Sequence, residues 1–335
     1  MPDLLPAARH PALIPLLLLG LLLVTAASLS LGPVPIGPER MMAVLAGHGD
    51  RIGRTILLDL RLPRTLVGLL VGGMLGLGGA VLQGYLRNPL AEPSVLGASN
   101  SAALGAVGAI YFGIAGWSIV MLPMLAILSG LIALGLLFAL AGRSESPLIL
   151  ILAGIAVSTL AGAGISLALN LSSNPFAAME IMAWLLGSIE NRTMTDVWIA
   201  LPCVIFGAAL LLYDGHMLDA LSLGEDGARS LGVDLRRARC RLLLGIAIGV
   251  GGAVAVSGSI GFIGLIVPHL VRPMTDRSPS AILLPSMIGG AFLLVAADIA
   301  VRLIPTASEL KLGVVTAFLG VPVFLAHLLS ERRLW

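Results

Sequence analysis

Asn88, Pro89, Glu92, Pro93, Ser99, Asn100 and Ser101 interrupt an otherwise apolar stretch of the chain. A helix that only crosses lipid has no use for them. Broken backbone is tolerated at membrane depth only against protein or a water-filled path. The chemistry these residues offer is hydrogen bonding along a passage, not bond making. A second set is cationic. Arg61 and Arg64 stand three residues apart, on one helical face, and Arg302 falls near the same end of a later span. Guanidinium groups there either anchor a helix at headgroup level or pair with the carboxylates of an external partner. Asp298 lies inside an apolar run, where an ionisable residue is a functional candidate. Arg302 follows four residues later, so an i,i+4 ion pair is the simpler reading. His269, next to Pro268, reads as a structural hydrogen bonder before a proton relay.

No catalytic constellation stands beside these. The sequence has no HExxH and no GxSxG. Its one lysine, Lys311, precedes Leu312, so it carries no GxxxxGK[ST] phosphate loop. If movement of a solute needs ATP, another subunit must bind it. Cys203 falls in an apolar run and Cys240 in a basic loop, which speaks against a disulfide. No Cys/His spacing points to a metal.

The elements that must position these residues are membrane helices. The 335 residues are 58% hydrophobic and 11% charged, with a mean hydropathy of +1.02. A soluble domain of this length could not hide so much apolar surface. Runs at 12–31, 66–82, 119–141, 148–169, 197–212, 242–256 and 281–301 come near the length of a span. Shorter or interrupted runs lie at 96–112, 262–271 and 312–329. Together they predict an all-α polytopic protein of about ten spans, some short or broken, with residues 1–335 as a single transmembrane domain. The first run is longer than the h-region of a signal peptide and reads as a retained helix. Glycines at 72 and 76, and at 245 and 249, predict close helix packing within the bundle.

The loop 214–241 holds Arg229, Arg236, Arg237, Arg239 and Arg241. Basic residues accumulate on the cytoplasmic side, which puts this loop and both termini in the cytoplasm. Arg40, Arg51 and Arg54 fall on the opposite side, so the bias is incomplete. Within the loop, Asp219 or Ser222 can cap a short helix through Glu225, Gly227, Ala228 and Leu231, which Gly232 ends.

Five separated stretches carry a resemblance: RLPR at 61–64, QGYLRNPLAEPSVLGASN at 83–100, LGEDGARSLGV at 223–233, GFIGLIVPHLVR at 261–272 and LGVVTAFLGVPVF at 312–324. They resemble the permease family of ABC importers for iron chelates, haem and cobalamin, in order from about residue 10 to the C-terminus. The resemblance implies a ten-helix subunit of a bacterial inner membrane that pairs with a second copy of itself. Two ATPase subunits, which carry the ATP and Mg, bind below it, and a periplasmic binding protein delivers substrate from above. No cofactor on this chain and no nucleic acid is implied. Leu221, Gly224, Glu225, Ala228, Arg229, Leu231 and Gly232 match the helix that couples to the ATPase. Arg61, Arg64 and Arg302 match the external arginines that receive acidic residues of the binding protein. Ser144 and Ser146 lie near the family's cytoplasmic gate, with Pro147 a departure. Asn88, Pro89, Pro93, Ser99 and Asn100 mark a structural break close to the path.

For the substrate, the same stretches fit a ferric siderophore, haem or cobalamin. Lys311 and His327 depart from the family's lettering; Lys311 can meet an anionic chelate or serve as an external anchor, and His327 has no visible second ligand for haem. The competing class is a secondary transporter driven by an ion gradient. It would want paired carboxylates near the midplane, where only Asp298 is in view. An intramembrane enzyme would need a catalytic cluster within the spans.

Overall fold

Polar residues at the ends of apolar runs set where these helices begin and stop. The computed structural model of the chain describes residues 12–94, 96–141, 147–306 and 308–331, without the side chains at 141, 147 and 323–331. Helix α1 (Leu13–Ser30) is followed by a short α2 (Pro38–Leu45) and by a continuous rod, Arg51–Leu86. The rod begins as α3 (Arg51–Arg54), capped by the Asp50 carboxylate, and ends as α4 (Leu62–Leu86). Between them Thr55–Arg61 is π-helical, and the Leu62 N–H reaches back to the Leu57 carbonyl. Pro63 explains the wide turn: it lacks an N–H and its ring crowds the carbonyl four residues back. The expectation of a span starting at residue 66 therefore misses the rim of this helix.

Helix α5 (Ala98–Tyr111) comes after the break, then α6 (Met121–Ala141) and α7 (Pro147–Leu171). The eleven-residue α8 (Pro175–Leu185) is not among the expected spans; it is too short to cross. A Thr193–Asp196 capping box starts α9 (Met194–Tyr213). The loop that follows folds into α10 (Gly215–Leu221) and α11 (Glu225–Ser230). Asp234 caps α12 (Leu235–Ser257), and Pro268 sits within the short α13 (Ile263–Val271). Ser278 caps α14 (Pro279–Leu303), and α15 (Leu312–Glu331) closes the bundle. No strand occurs among the described residues. Among the described residues, seven helices are long and apolar enough to cross a membrane, and α5, α13 and α15 supply the shorter members expected.

Helix α4 is the centre. It is buried on nearly every side, with Val67, Val71, Met74 and Leu77 wholly enclosed. Helices α14, α9, α13 and α12 surround it, whereas α1, α6 and α7 turn leucines outward. In lipid, close backbone approach replaces the hydrophobic effect as the source of helix association. The glycines supply it. Gly72 and Gly76 meet the backbone of Gly290 and Ser286 on α14, where an added Cβ would strike a carbonyl oxygen. Gly207 of α9 does the same against Gly249, whose Cα would lie 2.6 Å from a Cβ added there. The expected glycine packing is thus intramolecular. Gly76→Val should destabilise the purified protein by about 1–3 kcal/mol through overpacking, which a lowered thermal unfolding midpoint would show. Gly108→Ala, which adds its methyl into open space, should leave the midpoint unchanged or raised.

Candidate functional site

At one end of the bundle, three arginines from the central rod and α14 gather beside two carboxylates. Arg64 Nε lies 2.9 Å from Asp298 Oδ1 and its Nη2 2.7 Å from the same oxygen. Its Nη1 reaches Glu309 Oε2 at 3.1 Å, and Nη2 bonds the other Glu309 oxygen as well. Arg302 completes the expected i,i+4 pair with Asp298 at 3.0 Å and donates through Nη1 to the Ser28 carbonyl at 2.9 Å. Ser28 Oγ takes a second bond from Arg302 and lies 2.8 Å from Thr65 Oγ1. Asp298 is 1% exposed. A carboxylate so placed needs such partners to offset its desolvation.

Arg61 works differently. Its Nη1 donates to the carbonyls of Leu29 and Ser30, each at 2.8 Å, and Nη2 to that of Val34. These include orphan carbonyls at the end of α1, where a cation also suits the helix dipole. The three arginines are brought together at this end, as the sequence grouped them. Within the chain their guanidinium groups serve as internal counter-ions and a helix cap. They line a cavity of about 400 Å3 that also takes in Glu190, Arg192 and Glu309. Lys311 is paired with Glu190 at 3.0 Å. Nearby, Arg40 clamps Asp50 at 2.7 Å. That hydrogen bond, with one from the Gly53 N–H, holds the Asp50 carboxyl down to about 2.

At the opposite end, the 214–241 loop is two helices, not one. Leu221 ends α10. Gly224, with φ at 91°, starts α11 and carries no side-chain cap. The expected caps do other work. Asp219 bonds the Ser280 N–H at 2.9 Å and its hydroxyl at 2.5 Å, tying the loop to the start of α14, and Ser222 Oγ donates to the Asp219 carbonyl. Gly232 turns the chain after α11 in the left-handed region, as expected. Ala228 is fully buried and seats α11 on the bundle, while Arg229 pairs with Asp226 and Glu225. Leu223 and Leu231, on either side of α11, are 69% and 65% exposed. Asp214, nearly buried, pairs with Arg241 at 2.6 Å and fixes the root of the loop. Beside the loop, Arg87, Asn88, Pro89, His269, Arg272 and Arg277 line a cavity of about 630 Å3.

A family model described as the FecCD transport family matches residues 19–330. The chain belongs to the FecCD transport family. It is 36% identical to the uncharacterized ABC transporter permease protein YvrB of Bacillus subtilis over 86% of this chain and 82% of the relative. It is 40% identical to the vitamin B12 import system permease protein BtuC of Klebsiella pneumoniae over 84% of each. An inward-facing structure of an ABC transporter of metal-chelate type superposes with a TM-score of 0.87, at 31% identity, covering 96% of this chain and all of the other. The FecCD-family chain is accordingly a membrane-spanning ABC importer permease.

The break that marks FecCD lettering runs from Arg87, left-handed at φ 48°, to Gly97, left-handed at φ 78°. Ser99 and Asn100 are not in it; they belong to the first turn of α5. Asn88 Oδ1 accepts from the Leu90 N–H, and the Pro89 carbonyl lies 2.9 Å from His269 Nε2, the structural bond expected of that histidine. Pro93 packs against Gly78 and Gly264. Asn100 Nδ2 donates to Ser158 Oγ on α7 at 2.6 Å. These residues stitch the break to α4, α13 and α7. Ser144 and Ser146 lie outside the described residues, as does the side chain of His327. No group of His, Cys, Asp and Glu suited to a metal occurs among the described residues. Sequence reasoning missed Glu309 and Glu190. The one available signal was Glu309 two residues before Lys311, in the short segment between two apolar runs.

Proposed function

We propose that this permease imports a metal chelate across a bacterial inner membrane, from periplasm to cytoplasm, as a homodimer with two ATPase subunits and a periplasmic binding protein. Cobalamin is the first candidate, since the Klebsiella relative is a vitamin B12 permease, with haem and ferric siderophores as the alternatives. The observation that carries the reading is the chemical contrast between the two ends of one bundle. One end is a cavity walled by arginines and carboxylates. The other is a basic loop that holds two leucines out on either side of a short, well-seated helix. A charged end suits a docking protein whose binding must be reversible. Protruding leucines suit a partner that covers them. The basic loop faces the cytoplasm, which puts both termini there and the arginine end in the periplasm. The bound ATP and Mg belong to the ATPase. The chain itself needs no catalytic group: it supplies a path and levers.

Reconstitution in proteoliposomes with the ATPase and the binding protein tests this. Uptake should require ATP and survive an uncoupler. Uptake that persists without ATP and collapses with the uncoupler would instead make the chain an ion-gradient carrier. Asp298 is a poor residue for that second mechanism, because two guanidinium groups already hold it. Among substrates, the one that most raises the melting temperature of the binding protein, from a set of cobalamin, haem and ferric siderophores, is the cargo.

A further inference from the structure

Arg64 holds two carboxylates that differ in what governs exchange. Asp298 is 1% exposed and shared with Arg302. Glu309 is 20% exposed and sits on the connection between α14 and α15, in the wall of the 400 Å3 cavity. A buried carboxylate cannot leave its partner without a large desolvation cost, whereas one at the rim rehydrates as it goes. The bonding is divided accordingly. Asp298 takes Nε and shares Nη2, while Glu309 takes Nη1 and shares Nη2.

We infer that Glu309 is an internal stand-in for a carboxylate of the docking protein, and that docking transfers Arg64 from Glu309 to an acidic side chain of that partner. This rests on the reading that the arginine end is the docking face. Asp298 keeps the guanidinium in place throughout, so an incoming carboxylate can engage the Nη1 edge without any movement of α4. The cavity offers an acidic visitor cationic groups on one wall: Arg64 and Arg302 hold Asp298 and Glu309, and Arg61, engaged only by backbone carbonyls, has no carboxylate of its own, although Asp59 and Glu190 also line the cavity. The exchange also has a mechanical consequence. Glu309 to Arg64 and Lys311 to Glu190 are two ion pairs that tie the connection leading into α15. Docking undoes the first, so the arrival of the partner is felt at the start of a membrane helix.

The test measures docking of the binding protein to the permease–ATPase complex in nanodiscs. Glu309→Gln frees Arg64 and should tighten docking about five- to tenfold. Glu309→Asp keeps the charge but shortens the reach, and should tighten docking in the same direction. The gain should vanish in an Arg64→Ala background, where docking itself is weak. Glu190→Gln removes the same charge from the same cavity wall but not from Arg64, and should change docking far less. Glu309→Gln docking no tighter than wild type, while Arg64→Ala still weakens it, would overturn the exchange and leave the docking face standing. An equal gain from Glu190→Gln would overturn it too, by reducing the effect to general charge. Docking indifferent to Arg64→Ala would remove both the exchange and the docking face.

Discussion

Asp298→Ala should cost the protein about 3–5 kcal/mol of stability, the range for removing one partner of a buried ionic cluster. The loss arises because Arg64 and Arg302 stay behind. Their guanidinium groups are 12% and 6% exposed and cannot reach water without disturbing α4 or α14. Arg64 keeps Glu309, but Arg302 is left with the Ser28 carbonyl and hydroxyl and the distant Leu31 carbonyl. Thermal unfolding of the detergent-purified protein should show a much lower midpoint and a poor yield. Asp298→Asn should be nearly as damaging, since it keeps the volume and removes the charge. The double variant Asp298→Leu with Arg302→Met should recover a good part of the loss, because apolar replacement of a buried pair is often close to neutral. A midpoint unchanged in Asp298→Ala would refute the cluster as a structural keystone.

That cluster also shows what could and could not be read from the letters. The Asp298–Arg302 pair was legible because four residues of helix place both on one face. Arg64 and Glu309 were not. They join the cluster across 234 and 245 positions of sequence, and nothing local encodes which helices α4 touches. The same holds for the glycines. Gly72 and Gly76 announce a close approach, but only the fold says that Gly290 is opposite. Apolar runs located the spans because lipid imposes a length. They misplaced the start of the central rod because Asp59, Arg61 and Arg64 look like the end of a span, while the π turn and internal partners let the helix continue through them. The break from Asn88 was legible as an interruption. Its far limit was not, because Gly97, not the polar residues after it, turns the chain into α5.

The α10–α11 loop yields the second large effect. Leu223→Asp together with Leu231→Asp should weaken association with the ATPase by about 2–4 kcal/mol, roughly 30- to 1000-fold, the scale of central apolar anchors at an interface. Both side chains stand clear of the bundle, so the fold does not depend on them. What holds α11 in position is elsewhere: Ala228 beneath it, Asp219 on Ser280, and Asp214 on Arg241. The double variant should therefore melt like the unaltered permease while failing to copurify with the ATPase. Ala228→Glu should do the reverse of a clean interface change. It forces a charge into a fully enclosed position, unseats α11, and lowers the melting midpoint along with the association. This contrast separates three roles the sequence ran together. Gly224 and Gly232 shape the loop, Ala228 and Asp219 mount it, and the exposed Leu223 and Leu231 are the side chains whose contact with the ATPase the double variant tests. ATPase binding at unaltered affinity by the double variant would exclude that division of labour and move the contact surface away from α11.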